Sequence, residues 1–354
     1  MKKLLLLILA AALLLTACGE TLPPTEPQPN QRDIMNAAMR AAMELIFEPI
    51  TVSHGEDYVI EWKDEGMEAH IRFLLDKPDG DIFHSDVWDV QFLLIDPSPI
   101  GARDIFLKEP PMGKMQFDLN ELLLVENKEG IWIEYDAKQF PVIESLRDLR
   151  HFDSLQILQT NGIVLTDLTG VEQCPNLICL TLTDTKLTTL EPLSQMPWLE
   201  QLNLHSGGSL DLTPIVGLPA LRNLTLCNCE LESLEPLTTL PSLYELDLGV
   251  DAVYPSLEPL TRSTVKFLSL WLSKDGRGQY DYLDYESLAR IPNLTWLDIM
   301  NHTAFGVEDC TALLKGCPNL RYLNIWYTGA AEAIADGEYA PDTSHLEAFA
   351  TKPY

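Results

Sequence analysis

The chain has 354 residues, with 53 acidic side chains against 24 lysines and arginines and a formal charge of −29. A field that negative repels phosphate backbones and anionic headgroups, which argues against nucleic acid as a partner. After the first apolar run, no apolar stretch reaches the roughly 20 residues that a membrane-spanning helix needs.

The N-terminus reads MKKLLLLILAAALLLTACGE: two lysines, an apolar run of 14 residues from Leu4 to Ala17, then Cys18. The run is too short to span a bilayer, and its flanks are those of a secretory signal. LTAC at 15–18 resembles a bacterial lipobox. The resemblance implies cleavage after residue 17, so that 1–17 is a lipoprotein signal peptide, and diacylglycerol on the sulfur of Cys18. Losing Lys2 and Lys3 takes the formal charge from −29 to −31. Next comes GETLPPTEPQPNQ, with four prolines and no aromatic residue. A segment so composed favours extended polyproline conformations, so residues 18–31 read as a tether about 40 Å long. The expected location is the cell membrane, lipid-anchored, with the folded part facing the extracellular side or the envelope.

Residues 32–132 read as an N-terminal cap region. RDIMNAAMRAAMELIF spaces Ile34, Met35, Ala38, Met39, Ala42, Leu45 and Ile46 as one helix face. EGMEAHIRFLLDKPDG predicts a second helix, stopped by its proline and glycine. VQFLLI, FDLNELLLVE and IWIEY are strand candidates.

Residues 133–328 repeat. L-x-x-L-x-L or a close variant begins at Leu155, Leu177, Leu199, Leu221, Leu243 and Val265, each 22 residues after the last, then at Leu294 and Leu320. FPVIESLRDLRHFDS places Ile143, Leu146, Leu149 and Phe152 in step with the return path of the same unit. One unit cannot bury its own leucines. It must stack on its neighbours, which makes a solenoid with one short parallel strand per coil. Residues 329–354 read as a C-terminal cap or tail that either closes the array or folds over part of it.

This pattern resembles the leucine-rich-repeat family, in the 22-residue form of internalin-like bacterial surface proteins. The implied fold is a right-handed α/β coil with a concave parallel sheet and a helical N-terminal cap. The family usually ties its coils together through asparagine at the ninth position. Here that position holds Ile163, Thr185, Gly207, Cys229, Asp251 and Ser273.

No nucleophile elbow, phosphate-binding loop, zinc helix or CxxC pair occurs, and the seven histidines form no closely spaced pair. DKPDGD (76–81) and DGRGQYDYLD (275–284) gather carboxylates without the spacing of a calcium loop. Asp247 and Asp298 share the fifth position of coils two apart. Nothing else in the sequence supports an acid/base pair there. No catalytic residue, cofactor or metal is expected. Cys174, Cys179, Cys227, Cys229, Cys310 and Cys317 read as unpaired thiols, and those at 174, 229, 310 and 317 as buried ones.

Positions three, five and seven of each coil point away from the leucines. In the early coils they carry small polar groups, among them Gln159, Thr181, Asn203 and Thr225. In the late coils they carry two aromatic rows: Phe267, Trp296 and Tyr322 at the third position, and Trp271, Met300 and Trp326 at the seventh. The inward places are already filled by leucine and isoleucine, so these rings are expected to face solvent. Exposed aromatic clusters mark interaction surfaces. Phe267, Trp271, Trp296, Tyr322 and Trp326 are therefore the candidate ligand-binding residues, with Trp296 as anchor.

The resemblance makes an extracellular or envelope protein the expected partner. Glycan or wall-polymer capture by the rings is the alternative, and an enzyme with an unrecognised site in 32–132 a third reading. If Cys18 carries the lipid, Cys18→Ala expressed in a bacterial host leaves the membrane fraction. A variant that pellets as firmly as the parent removes the lipoprotein assignment.

Overall fold

In a computed structural model, residues 50–96, 102–107, 130–135, 140–160, 163, 165–249, 252–272 and 284–351 are described. All of them fall in one compact unit. The helix expected from RDIMNAAMRAAMELIF, the strand expected from FDLNELLLVE, the tether and Cys18 lie outside them.

Two helices open the described chain, α1 (Glu65–Leu74) and α2 (His84–Val87). The strands follow: β1 (Phe92–Asp96), β2 (Ala102–Leu107), β3 (Gly130–Tyr135), β4 (Ile157–Thr160), β5 (Cys179–Thr185), β6 (Gln201–Ser206), β7 (Ser209–Leu210) and β8 (Asn223–Cys227). After them come β9 (Glu230–Leu231), β10 (Glu245–Leu248), β11 (Phe267–Trp271) and β12 (Trp296–Met300). Helix α3 (Val307–Gly316), β13 (Tyr322–Asn324), α4 (Gly329–Ala335) and β14 (Ala348–Ala350) complete the order. One sheet runs β14-β13-β12-β11-β10-β8-β6-β5-β4-β1-β2-β3, and β7 pairs with β9 in a second ladder.

From β1 to β14 the main sheet is parallel, and the fourth position of each coil pairs with the fourth of the next. Leu224 pairs with Leu246, Leu246 with Leu268, Leu268 with Leu297 and Leu297 with Leu323. Every one of these side chains is buried. Parallel neighbours sit about 4.8 Å apart, so leucines of adjacent coils stack directly, and the period of two sends the intervening residues to the opposite, front face.

The return paths are 3-10 turns. In four of them, Glu191–Gln195, Thr213–Ile215, Glu235–Thr239 and Glu258–Arg262, a proline stands near the start. A first-turn amide has no partner within the turn, so losing it to proline costs nothing, and the fixed φ presets the turn. The 26-residue step between Leu294 and Leu320 has room for a full α-helix, α3, which buries Cys310 and Leu313.

At the N-terminal end two aspartates lock α1 onto the first return path. Asp64 caps α1 by accepting from Met67 N at 2.8 Å, and its other oxygen accepts from Glu144 N and Ser145 N. Asp148, fully buried, accepts from Lys63 N and Asp64 N. Gly66 allows this approach, since a Cβ there would lie 2.6 Å from Val142 O.

One strand departs from the sequence expectation, and two points that the sequence left open are filled in. The parallel ladder begins at Phe92, inside the strand candidate VQFLLI, where Leu93 and Ile95 enter the leucine core while β1 pairs with β4. Strand β2, A-R-D-I-F-L, has no alternation to announce it; it is held by antiparallel pairing with both β1 and β3. At the other end, where the sequence left a cap or a covering tail open, residues 329–351 pack beside the last coil, and Tyr322 Oη donates to Glu347. Helix α4 buries Ala330 and Ala331, and β14 extends the sheet beside β13.

The coil tie also differs. Asn301, at the eighth position with φ +63°, donates from Nδ2 to Leu272 O of the preceding coil at 2.6 Å. Asn228, also eighth, has φ +52°. Asparagine tolerates this left-handed turn better than most residues, which places the amide one residue before the family position.

Truncating Leu246 to Ala should lower stability by about 2–5 kcal/mol through lost burial and a cavity. Val142→Ser, at a site 63% exposed, should stay within about 0.5 kcal/mol of the parent. Urea midpoints of the two variants check both.

Candidate functional site

The register puts the late-coil side chains of the front face into rows. At the third position Phe267 pairs with Trp296, and Trp296 with Tyr322. The rings follow: Phe267 and Trp296 stack with centroids 5.9 Å apart at 13°, Trp296 and Tyr322 at 4.7 Å and 29°. Tyr244, at the second position of its coil, adds a ring 4.9 Å from Phe267. At the seventh position Trp271 pairs with Met300, while Trp326, counted into the same row, lies in the turn after β13.

The expectation that all five candidates face solvent fails at one of them. Trp296 is 2% exposed, held between Phe267 and Tyr322. A ring flanked on both faces at strand spacing loses its own access to water. Phe267, Trp271, Tyr322 and Trp326 remain partly exposed. The early coils hold a second surprise. Gln159, Thr181 and Asn203 are buried too, with Asn203 donating to Thr181 Oγ1 at 3.0 Å. Beside them the third-position row begins with apolar residues, Phe92, Ile157 and Cys179.

Between the aromatic rows runs the fifth position: Asp247, Ser269, Asp298 and Asn324. Burial pushes the Asp247 carboxyl up to about 7, and the charges of Glu245 and Asp298 add to the shift. Burial raises Asp298 to about 7 as well, against a hydrogen bond from Asn324 Nδ2 at 2.9 Å. The Trp271 indole opposes the Asp298 shift through its nearness, but its Nε1 makes no hydrogen bond of normal geometry. Burial also raises Glu245, which accepts from Asn223 Nδ2. Asp247 Oδ1 is buried without a hydrogen-bond partner. An acid/base pair needs one carboxyl kept protonated and one ionised. Here the two environments shift both the same way, which does not suit that chemistry.

A second polar cluster lies at the first coil. The chain brings together His54, His84 and His151, which are far apart in sequence. His54 bridges Asp153 at 2.9 Å and Asp89 at 3.0 Å, and stacks on Trp88. His84 lies 3.2 Å from Asp153, and Tyr58 Oη meets His151 Nδ1 at 2.8 Å. Burial pulls the His151 pKa down to about 4, with Arg150 adding to it. Burial would lower His54 as well, but its hydrogen bonds to Asp153 and Asp89 override that and raise it. The cluster pins residues 54–58 to the start of the array. Among the described residues no group of His, Cys, Asp and Glu is arranged to hold a metal ion. No motif spacing could have revealed these contacts.

The six described cysteines are buried and free. Burial raises the thiols of Cys174, Cys179, Cys227 and Cys229 to about 12, and those of Cys310 and Cys317 to about 11, so they are inert packing groups at neutral pH.

The raised Asp298 pKa has a measurable consequence. Asp298 keeps its proton to about pH 7 when folded but to about pH 4 when unfolded, so its contribution to stability is present at low pH and lost as pH rises through 7. His151 and His302, both lowered to about 4 by burial, act in the opposite sense below their unfolded value. The difference between parent and Asp298→Asn reports this carboxyl together with its push on Asp247. From about pH 5 to 7 the parent should lose about 1.4 kcal/mol per pH unit relative to the variant. Urea midpoints across that range check it, and a flat difference would show that Asp298 is not raised.

No protein-family model matches the chain, and no curated protein does. Among solved structures, an internalin C2 from Listeria monocytogenes is 20% identical over 58% of this chain and 83% of its own, with a TM-score of 0.41. Another internalin from the same organism is 16% identical over 82% of this chain and 91% of its own, at 0.40. A leucine-rich-repeat protein from Leptospira interrogans is 17% identical over 57% of this chain and 52% of its own, at 0.32. The geometry of the coils themselves, with L-x-x-L-x-L strands in parallel register around a shared leucine core, makes this chain a leucine-rich-repeat solenoid.

Proposed function

We propose that the protein is a non-catalytic binding module, held at the cell surface through a lipid on Cys18, that engages an extracellular or envelope protein with the front face of its late coils. The observation that carries this reading is the in-register row of Phe267 and Tyr322 around a buried Trp296, with Trp271 on β11 and Trp326 in the turn after β13 also partly exposed. Rigid aromatic side chains on a fixed scaffold lose little conformational entropy on binding, which is why such groups dominate interface energetics. The solenoid core spaces them by backbone pairing rather than by loops.

The same array favours a protein over a sugar. A sugar ring stacks on the flat face of an aromatic side chain. In the third-position row both faces of Trp296 are taken by Phe267 and Tyr322, and Phe267 has Tyr244 on its other side. Apart from Tyr322, what the row offers a partner is edges, which suit apolar side chains.

The test uses the secreted chain beginning at residue 18, immobilised and exposed to surface proteins and, separately, to polysaccharides. A discrete protein should be captured, and Phe267→Ala with Tyr322→Ala, shown folded by a cooperative thermal melt, should weaken that capture by about tenfold or more. Capture of polysaccharide alone, lost in the same variant, would replace the reading with glycan binding. Trp296→Ala behaves differently: it should destabilise the fold by about 3–5 kcal/mol, because a buried Trp is removed.

A further inference from the structure

Residues 51–56 are fastened to the array by one side chain. On one side of them Gln91 accepts from the Ile50 amide at 3.1 Å and donates to the Ile50 carbonyl at 3.0 Å. On the other side Asp57 accepts from Ser85 N and Oγ, and Tyr58 O accepts from His84 N. Between these points no residue enters the leucine core, and Thr51, Ser53, Gly55 and Glu56 are exposed. Among the described residues His54 makes the only hydrogen bonds of the stretch. A segment tied this sparsely opens without unfolding the core.

The geometry of that tie fixes its charge. His54 Nδ1 lies 2.9 Å from Asp153 Oδ2 and Nε2 lies 3.0 Å from Asp89 Oδ1, while the ring stacks on Trp88 at 4.4 Å and 8°. An ionised carboxylate only accepts, so a bond at both nitrogens needs an N–H on both, which the imidazolium alone has. Neutral imidazole would turn a lone pair toward one of the two carboxylates. The His54 side chain is 13% exposed, against 26% for Asp153 and 52% for Asp89, so the bond to Asp153 is the less screened of the two. The other titratable groups nearby are accounted for. His84 on α2 lies 3.2 Å from Asp153 Oδ1, but neither of its ring nitrogens makes a hydrogen bond, so it does not compete for Oδ2. On the first return path His151 Nε2 accepts from Arg150 Nε at 3.1 Å, and its Nδ1 meets Tyr58 Oη. On the strap itself Glu56 is exposed and Asp57 is engaged by Ser85.

We propose that His54 is a pH-sensitive latch: as an imidazolium it fastens residues 51–56 to the turns that lead into β1 and β4, and on losing its proton it releases them. Burial works against a charge on this ring, but the hydrogen bonds to Asp153 and Asp89 outweigh it and hold the pKa above the ordinary 6.5. The latch is therefore complete below about pH 6.5 and is lost as pH rises through the raised value. His151 acts in the opposite sense. Burial and Arg150 lower it to about 4, so its neutral form, which meets Tyr58, holds best above about pH 6.5 and weakens as pH falls toward 4. Alkaline release thus belongs to His54. It uncovers the face of Trp88 on which the imidazole stacks.

The test follows the isotope-labelled chain from residue 18 by NMR. Carbon relaxation at Cα gives the order of residues 51–56 without relying on amide protons, and the His54 ring nitrogens report its protonation directly. At about pH 6 the order parameters of the stretch should be about 0.85, and at about pH 9 they should fall below about 0.6, with the leucine methyl signals of the core unchanged. The fall should follow the titration of His54, with a midpoint above about 6.5, and the Trp88 indole signal should shift with it. His54→Ala, shown folded by thermal melt, should leave the stretch below about 0.6 at both pH values. Asp153→Asn should move the His54 midpoint down. Four results overturn the latch: a parent midpoint at or below about 6.5, order unchanged between about pH 6 and about pH 9, order retained in His54→Ala, or a midpoint unmoved in Asp153→Asn.

Discussion

The structure depends on one constraint: no coil can bury its own leucines. Each L-x-x-L-x-L strand has its fourth and sixth residues on one side, and only the equivalent leucines of the coils above and below can cover them. Stacking them sets the register, and register sets everything on the other side of the sheet. A one-residue slip would turn every leucine outward, so the arrangement is specified with little tolerance. The array has to be closed at its ends by other means. At the N-terminal end Asp64 and Asp148 satisfy the backbone amides where α1 meets the first return path. At the C-terminal end α4 and β14 continue the packing with alanines, whose small side chains suit a terminating layer.

Because the leucines fix the backbone, the front face is released from the task of folding the chain. Residues at the third, fifth and seventh positions fall into straight rows whatever their chemistry. In the middle coils the rows carry Asn203 and Thr181, which satisfy each other. In the late coils they carry stacked rings and carboxyls. Burial of Asp247 and Asp298 works against the fold when they are charged, and raised pKa values near 7 are the result. A sequence selected for stability alone would place apolar or small polar groups there, as the neighbouring coil does with Ser269. Carboxyls kept beside rings lower the stability of the fold, and the leucine scaffold offsets that cost.

The sequence by itself determined the coil. The leucine spacing dictates which residues face inward, and repetition every 22 residues dictates which residues of successive coils are neighbours. The rows of Phe267, Trp296 and Tyr322, and of Trp271 and Met300, follow by counting, because pairing in a parallel ladder is a one-dimensional property. Helix α1 and strands β1 and β3 were legible for a similar reason, since their patterns are local. Only the tertiary structure decided what each front-face residue experiences. Trp296 is buried because two rings close on it from both sides, and Asp298 is raised because its surroundings exclude water; neither follows from position alone. Strand β2 exists through its two partners. His54, His84 and His151 meet because the chain returns to the first coil after separations of 30 and 67 residues. Periodicity encodes contacts between equivalent positions of adjacent coils. It carries no information about contacts made across the ends of the array or about the depth of burial, which depend on side chains meeting in three dimensions.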